Sequence, residues 1–81
     1  MQLSAGHLPA GGTSYLLAPN FLPGHPVDFA IDGRTVATLT ANTLGDVTYM
    51  IDPSLLKLAP GQHTITLTGM LLTETTTITS S

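Results

Sequence analysis

The sequence predicts a small all-β domain, an antiparallel sandwich of six to seven short strands, and three features indicate it. Fourteen of the 81 residues are threonine, whose β-branched side chain suits a pleated strand better than a helix. Apolar and polar residues alternate in several runs, which is the pattern of a strand with one buried face. Turn signals such as Pro-Gly and Asp-Gly separate these runs at intervals of about 8–12 residues, a spacing typical of a β-sandwich.

The domain is predicted to occupy residues 13–81, because glycines and prolines make residues 1–12 a linker or a loose first strand. Asp32-Gly33 is a favoured two-residue hairpin sequence. The Asp52-Pro53 pair, followed by spaced leucines, predicts one short helical turn or an irregular crossover. The predicted strands are residues 13–17, 27–31, 34–41, 46–51, 63–68 and 72–79.

One face of each strand is predicted to form the core. Phe21 precedes a strong turn and is expected to plug one end of the sandwich. The last strand is nearly all threonine, so the apolar pattern specifies its register only weakly. The predicted core consists of Leu17, Phe21, Val27, Phe29, Ile31, Leu39, Val47, Tyr49, Ile51, Leu58, Ile65 and Leu67.

Four stretches of sequence resemble a known family: LPAGGT at 8–13, FLPGHPV at 21–27, ANTLGDV at 41–47 and PGQHTITLTG at 60–69. Together they resemble immunoglobulin-like repeat domains of actinobacterial and other Gram-positive secreted and cell-surface proteins, over residues 8–79. The resemblance implies an immunoglobulin-like sandwich, used as a spacer or adhesive module and often repeated in tandem. It also implies an extracellular or cell-surface location, with neighbouring domains as partners. The first residues, Met1-Gln2-Leu3-Ser4, lack the charged and long apolar regions of a signal peptide, so targeting signals are expected elsewhere in a longer parent protein.

An enzyme is not expected, because groups able to do acid–base or nucleophilic chemistry are not brought together by any motif. The three histidines His7, His25 and His63 are far apart in sequence, there is no cysteine, and no serine has the setting of a nucleophile elbow. The carboxylates are dispersed rather than arranged as a calcium loop, so neither a metal nor a cofactor is predicted. His63 is expected at the sandwich rim, with a hydrogen bond to a nearby backbone group.

The charges exclude two classes of partner. Arg34 and Lys57 are the only cations in a chain of formal net charge −3. Two cations far apart in sequence do not make the cluster of Lys and Arg that neutralises a row of phosphates, so nucleic-acid binding is not expected. The same scarcity removes the polybasic route to anionic membranes, and no apolar run approaches the roughly 20 residues of a membrane span.

An intramolecular isopeptide bond, as found in some bacterial surface modules, is one alternative. Lys57 is the only lysine, and Asn20 or Asn42 would be its acceptor. However, Lys57 falls in the leucine-rich crossover rather than in an apolar strand. Its stem is therefore expected to cover leucines while its amine stays in water.

An interaction surface is predicted around Tyr15 and the last strand. Tyr15 is the one ring expected to be exposed, so a cell-wall glycan could stack on it, although one ring makes a poor platform. Residues 72–79 are predicted as an edge strand open to β-addition by another protein or by weak self-association. The residues of this surface are Tyr15, Leu72, Thr73, Thr75 and Thr77.

Overall fold

The computed structural model describes residues 2–4, 6–8, 12–70 and 72–80, and within them the protein is all-β with one four-residue helix. This confirms the predicted class. Each of the six predicted strands is present, with its ends within two residues of the predicted ones. The elements are β1 (Gln2–Leu3), β2 (His7–Leu8), β3 (Ser14–Ala18), β4 (Pro26–Ile31), β5 (Arg34–Thr40), β6 (Val47–Ile51), α1 (Pro53–Leu56), β7 (Gly61–Thr68) and β8 (Thr73–Ser80).

The strands form two sheets that share one core. The three-stranded sheet has the order β1-β3-β6, and the five-stranded sheet has the order β2-β8-β7-β4-β5. The described residues thus contain eight strands rather than the predicted six to seven. The difference arises because residues 2–8 add two short strands, one to each sheet.

The prediction of a wholly antiparallel sandwich is wrong at one pair. β2 runs parallel to β8, with His7 opposite Thr79, and the Thr79 N–H donates to the Gly6 carbonyl over 2.9 Å. β1, by contrast, is antiparallel to β3, with Gln2 opposite Leu17. β1 and β2 run in the same direction along the sandwich. β2 is therefore parallel to β8, although β1 is antiparallel to β3.

The predicted core is largely confirmed. Phe29 is fully buried at its centre, and its ring centroid lies 4.6 Å from that of Tyr49 with a tilt of 35°. Tyr49, Leu39 and Leu58 are half-buried and pack against this cluster. The buried apolar residues are Leu8, Leu16, Ala18, Phe21, Val27, Phe29, Ile31, Ala41, Val47, Ile51, Ile65, Leu67 and Ile78.

The assignment of Leu17 to the core is wrong, because Leu17 lies on the exposed face of β3, the face that also carries Tyr15. Leu16 is fully buried, whereas Leu17 is 36% exposed. Where two leucines are adjacent, a period of two residues allows either of them to face the core. A change of one residue in the strand's orientation moves every side chain to the other face. Pairing with β6 decides it: Leu16 lies opposite Tyr49, and Ala18 opposite Val47.

The molecule measures 34 × 22 × 18 Å, and Phe21 closes one end of it, as predicted. Its N–H donates to the Gly45 carbonyl over 3.0 Å, and a Cβ at Gly69 would collide with its ring. We call this end the Phe21 pole. The opposite end carries the β4–β5 turn, α1 and the beginning of β7, and we call it the His63 pole. No helix in the described residues is long and apolar enough to cross a membrane.

Candidate functional site

A cleft of about 390 Å³ lies at the His63 pole, where the β4–β5 hairpin, the end of α1 and the beginning of β7 meet. Aliphatic and charged side chains line it together, a combination found at ligand and partner sites. The aliphatic lining residues are Ile31, Val36, Leu56, Leu58 and Ala59. The polar lining residues are Asp32, Arg34, Lys57 and His63.

The β4–β5 turn holds one wall of the cleft. Asp32 has φ of 52° and Gly33 has φ of 84°, which are the two positive values that a type I′ hairpin turn requires. This confirms the predicted two-residue hairpin. The Asp32 N–H donates to the Thr64 carbonyl over 2.8 Å, and its Oδ1 accepts from the Thr64 N–H over 2.9 Å. The turn is thereby fastened to the neighbouring strand β7.

His63 forms a second link to the same turn. Its Nδ1 lies 2.6 Å from Asp32 Oδ2, and its Nε2 lies 2.7 Å from the Ala59 carbonyl oxygen. Both partners are acceptors, so both ring nitrogens donate, which is the arrangement of a charged imidazolium. The predicted rim position and backbone hydrogen bond of His63 are confirmed. The ion pair with Asp32 has no local signal in the sequence, since 31 residues separate the two side chains.

These contacts move the pKa of both groups. The Ala59 carbonyl, and after it the Asp32 carboxylate, raise the pKa of His63 above its usual value of 6.5. The hydrogen bond from His63, and after it that from the Thr64 N–H, lower the pKa of Asp32 below its usual value of 3.8. Both shifts favour the charged pair.

Arg34 and Lys57 meet at this cleft although they are far apart in sequence. Lys57 directly follows α1 and has φ of 55°, a left-handed conformation common just after a helix C-terminus. Within the described residues, neither cation forms an ion pair with a carboxylate. With His63 protonated, three positive groups and one negative group line the cleft, so it can hold an aliphatic group beside an anion.

The predicted interaction surface is divided by the structure. Tyr15 is 46% exposed on the outer face of the three-stranded sheet. Thr73, Thr75 and Thr77 are exposed on the outer face of the five-stranded sheet, opposite Thr68, Thr66 and Thr64 of β7. These two faces point away from each other, so the five residues do not form one surface.

The assignment of residues 72–79 as an edge strand is corrected in part. β8 lies between β7 and β2, because β2 pairs with its outer edge at Thr79 and Ser80. For the residues before Thr79, β7 is the one neighbouring strand among the described residues. Leu72 lies before the strand and packs half-buried against the core.

The structure is incompatible with the isopeptide alternative. Asn20 and Asn42 lie at the Phe21 pole, whereas Lys57 lies at the His63 pole. Asn42 stabilises its own turn, because its Oδ1 accepts from the N–H groups of Leu44 and Asp46 over 2.9 and 3.0 Å. Among the described residues, no group of three or more His, Asp or Glu side chains converges on a point that could hold a metal ion.

Replacing Asp32 with asparagine is expected to flatten the dependence of stability on pH. Protonated His63 stabilises the folded protein fully below its unfolded-state pKa, and this contribution is lost as pH rises through the raised folded-state value. Ionised Asp32 contributes above its ordinary pKa, and this is lost as pH falls through the lowered value. Stability is therefore expected to be greatest between about pH 4 and about pH 6.5.

Thermal melts from about pH 3 to about pH 9 measure this profile. In Asp32→Asn the stability should decline less steeply on either side of its maximum. The pKa of His63 should fall because its carboxylate partner is lost, and an NMR titration measures that fall. Asn tolerates the left-handed conformation of this position, so the turn itself is retained. Asp28→Asn is the matched control, because Asp28 is an exposed carboxylate that bonds only Thr38 across the sheet. Equal profiles for the two variants would contradict the assignment.

The chain was compared with protein-family models, with curated proteins and with solved structures. No family model matches it, no curated protein is significantly similar in sequence, and no solved structure is significantly similar to it. The resemblance to immunoglobulin-like repeats therefore stays a prediction, and function is argued from the structure.

Proposed function

We propose that the chain is a non-catalytic, immunoglobulin-like module of a larger secreted or cell-surface protein, acting as a spacer or interaction unit between neighbouring domains. The observation that carries this proposal is that Gln2 and Ser80, the first and last residues that the structure describes, lie at opposite poles of the sandwich. The strand order supports the fold assignment, and the shape supports the spacer role.

The strand order is consistent with that of an immunoglobulin-like sandwich. β1-β3-β6 corresponds to strands A-B-E, and β8-β7-β4-β5 corresponds to strands G-F-C-C′. Phe29 lies fully buried on β4, the equivalent of strand C, where antibody domains place a buried tryptophan. The chain has neither tryptophan nor cysteine, so this ring stabilises the core without the disulfide of antibody domains.

The positions of the two ends suit a spacer. Gln2 lies opposite Leu17, beside the last residue of β3, near the Phe21 pole. Ser80 lies opposite Gly61, the first residue of β7, at the His63 pole. A polypeptide that continues beyond both ends therefore enters at one pole and leaves at the other. Modules joined in this way extend along their long axes instead of folding back side by side.

The proposal predicts the shape of a two-copy fusion joined by a short linker. Small-angle X-ray scattering is expected to give a maximum dimension about twice the 34 Å length of one copy. A matched fusion with a long Gly-Ser linker should instead show a broad distribution of separations, because such linkers behave as random coils. A compact, side-by-side particle from the short-linker fusion would contradict the spacer role.

Sedimentation of the single module with a panel of cell-wall polysaccharides tests the rival function. A spacer sediments identically with and without each glycan. A shift with one glycan that is abolished by Tyr15→Ala would favour an accessory carbohydrate-binding module, because Tyr15 is the exposed ring of the described residues.

A further inference from the structure

We propose that the cleft at the His63 pole binds the turn formed by residues 42–46 of a second copy, so that copies of this chain associate head to tail. This inference rests on the proposed spacer function for its biological setting, and it names the partner of the cleft. We call residues 42–46 the Leu44 turn. Three features of the described residues carry the inference: a rigid apolar projection, a cleft of matching chemistry, and complementary charge at the two poles.

The projection is Leu44, which is 80% exposed at the Phe21 pole. Its turn is rigid, because Asn42 Oδ1 accepts from the N–H groups of Leu44 and Asp46, and the Gly45 N–H donates to the Asn42 carbonyl over 3.0 Å. Met70, 68% exposed, lies at the same pole. A large aliphatic side chain held out in water on an ordered turn loses little conformational entropy when it is buried by a partner.

The cleft provides aliphatic surface that could cover the exposed Leu44 side chain. Ile31, Val36, Leu56 and Leu58 supply its aliphatic lining, and its volume of about 390 Å³ has room for a leucine side chain with part of its turn. The wall made by the β4–β5 turn is rigid, since the Asp32 carboxylate bonds both Thr64 and His63. The Leu44 turn and this wall of the cleft are therefore preformed before they meet.

The charges favour contact between unlike poles. Asp46 follows Leu44 by two residues, and Asp28 lies near the same pole, opposite Thr68 at the end of β7. Both cations of the chain line the cleft at the other pole. Insertion of Leu44 would bring Asp46 towards Arg34 and Lys57, whereas two Phe21 poles would place carboxylates against each other. Complementary potentials of this kind specify orientation more than affinity.

The geometry makes the contact open-ended. The two surfaces lie at opposite poles, so the contact is heterologous, and a heterologous contact whose rotation does not close produces a linear array. In a tandem protein the same contact arises between neighbours, because the chain leaves at the His63 pole and enters the next module at the Phe21 pole.

One side chain and its turn make a small interface, so free copies should associate weakly, with a Kd on the order of 0.1–1 mM. A short tether supplies an effective concentration in the mM range and would keep the contact formed.

Two variants break the two halves of the contact separately. Leu44→Ser removes the projection and leaves the cleft intact, while Lys57→Glu reverses a charge at the cleft and leaves the projection intact. Each is expected to weaken self-association at least about tenfold in sedimentation equilibrium at mM concentrations. Mixed in equal amounts, they should form a dimer that stops at two molecules, because the intact cleft of the first receives the intact turn of the second. Both positions are exposed, and circular dichroism verifies that each variant is folded.

Leu55→Ser is the matched control, since Leu55 is 81% exposed and does not line the cleft. It should leave association unchanged. Three results would each overturn the inference: a wild-type chain that stays monomeric at mM concentration, a Leu55→Ser variant as weak as Leu44→Ser, or a mixture no more associated than its components. If free copies do not associate while the short-linker fusion stays extended, this inference fails and the spacer function stands. If copies associate while that fusion folds back, the spacer function fails.

Discussion

Replacing Gly45 with alanine is expected to destabilise the protein by about 3 kcal/mol or more, the range of a mutation that forces backbone atoms apart. Gly45 has φ of 82°, and a Cβ built there would overlap the backbone carbonyl oxygen of Phe21. Relief would require moving Phe21, whose N–H donates to the Gly45 carbonyl and whose ring closes the core. Backbone strain and loss of packing at the Phe21 pole therefore act together.

Gly24→Ala is the matched control for this substitution. Gly24 has a similar φ of 76°, but a Cβ there would meet nothing within 4 Å. It is expected to cost about 1 kcal/mol, the left-handed backbone penalty alone. Urea unfolding followed by circular dichroism measures both free energies of unfolding. Similar losses in the two variants would show that close approach to Phe21 contributes nothing beyond the backbone conformation.

Replacing Phe29 with alanine is expected to remove about 3–5 kcal/mol from the free energy of unfolding. Phe29 is fully buried at the centre of β4 and packs on Tyr49. A domain of this size stands near the lower end of the usual 5–15 kcal/mol range. Since about 1 kcal/mol shifts the midpoint of a small domain by about 4–8 °C, the melting temperature should fall by tens of degrees.

Tyr15→Ala is the control for the loss of an aromatic ring from a strand. Tyr15 is 46% exposed on the outer face of β3, so its removal leaves no internal cavity, and about 1 kcal/mol or less is expected to be lost. Phe29→Leu should fall between the two, because it retains most of the buried volume. Calorimetric melts of the three variants give the order. A Phe29→Ala variant that melts like Tyr15→Ala would mean that β4 does not face the core as described.

The strands were predictable because alternation is a local property. In β7, Ile65 and Leu67 face inward while the threonines between and beside them face outward. This arrangement follows directly from the period of two residues in a strand. The same holds for Val27, Phe29 and Ile31 of β4. The prediction became ambiguous where apolar residues are adjacent, at Leu16 and Leu17, because there the pattern alone suits either face.

The cleft was not predictable in the same way. Its cations Arg34 and Lys57 were correctly identified as the only ones in the chain, but their distance along the sequence gave no sign that they share a surface. The contact between Asp32 and His63 likewise depends on which strands become neighbours, because β4 beside β7 aligns Ile31 with Ile65 and so brings Asp32 to His63. An Asp-Gly turn signal predicts a hairpin, not the partner of its carboxylate.

The sequence by itself therefore determined the all-β class, the positions of the six main strands, the hairpin at Asp32-Gly33 and the aromatic centre of the core. These properties depend on side-chain periodicity and turn chemistry within a few residues. Only the tertiary structure decided the inward face of β3, the parallel pairing of β2 with β8, and the gathering of charged groups at the His63 pole. These depend on contacts between residues distant along the chain, which packing of the whole core selects and no local pattern records.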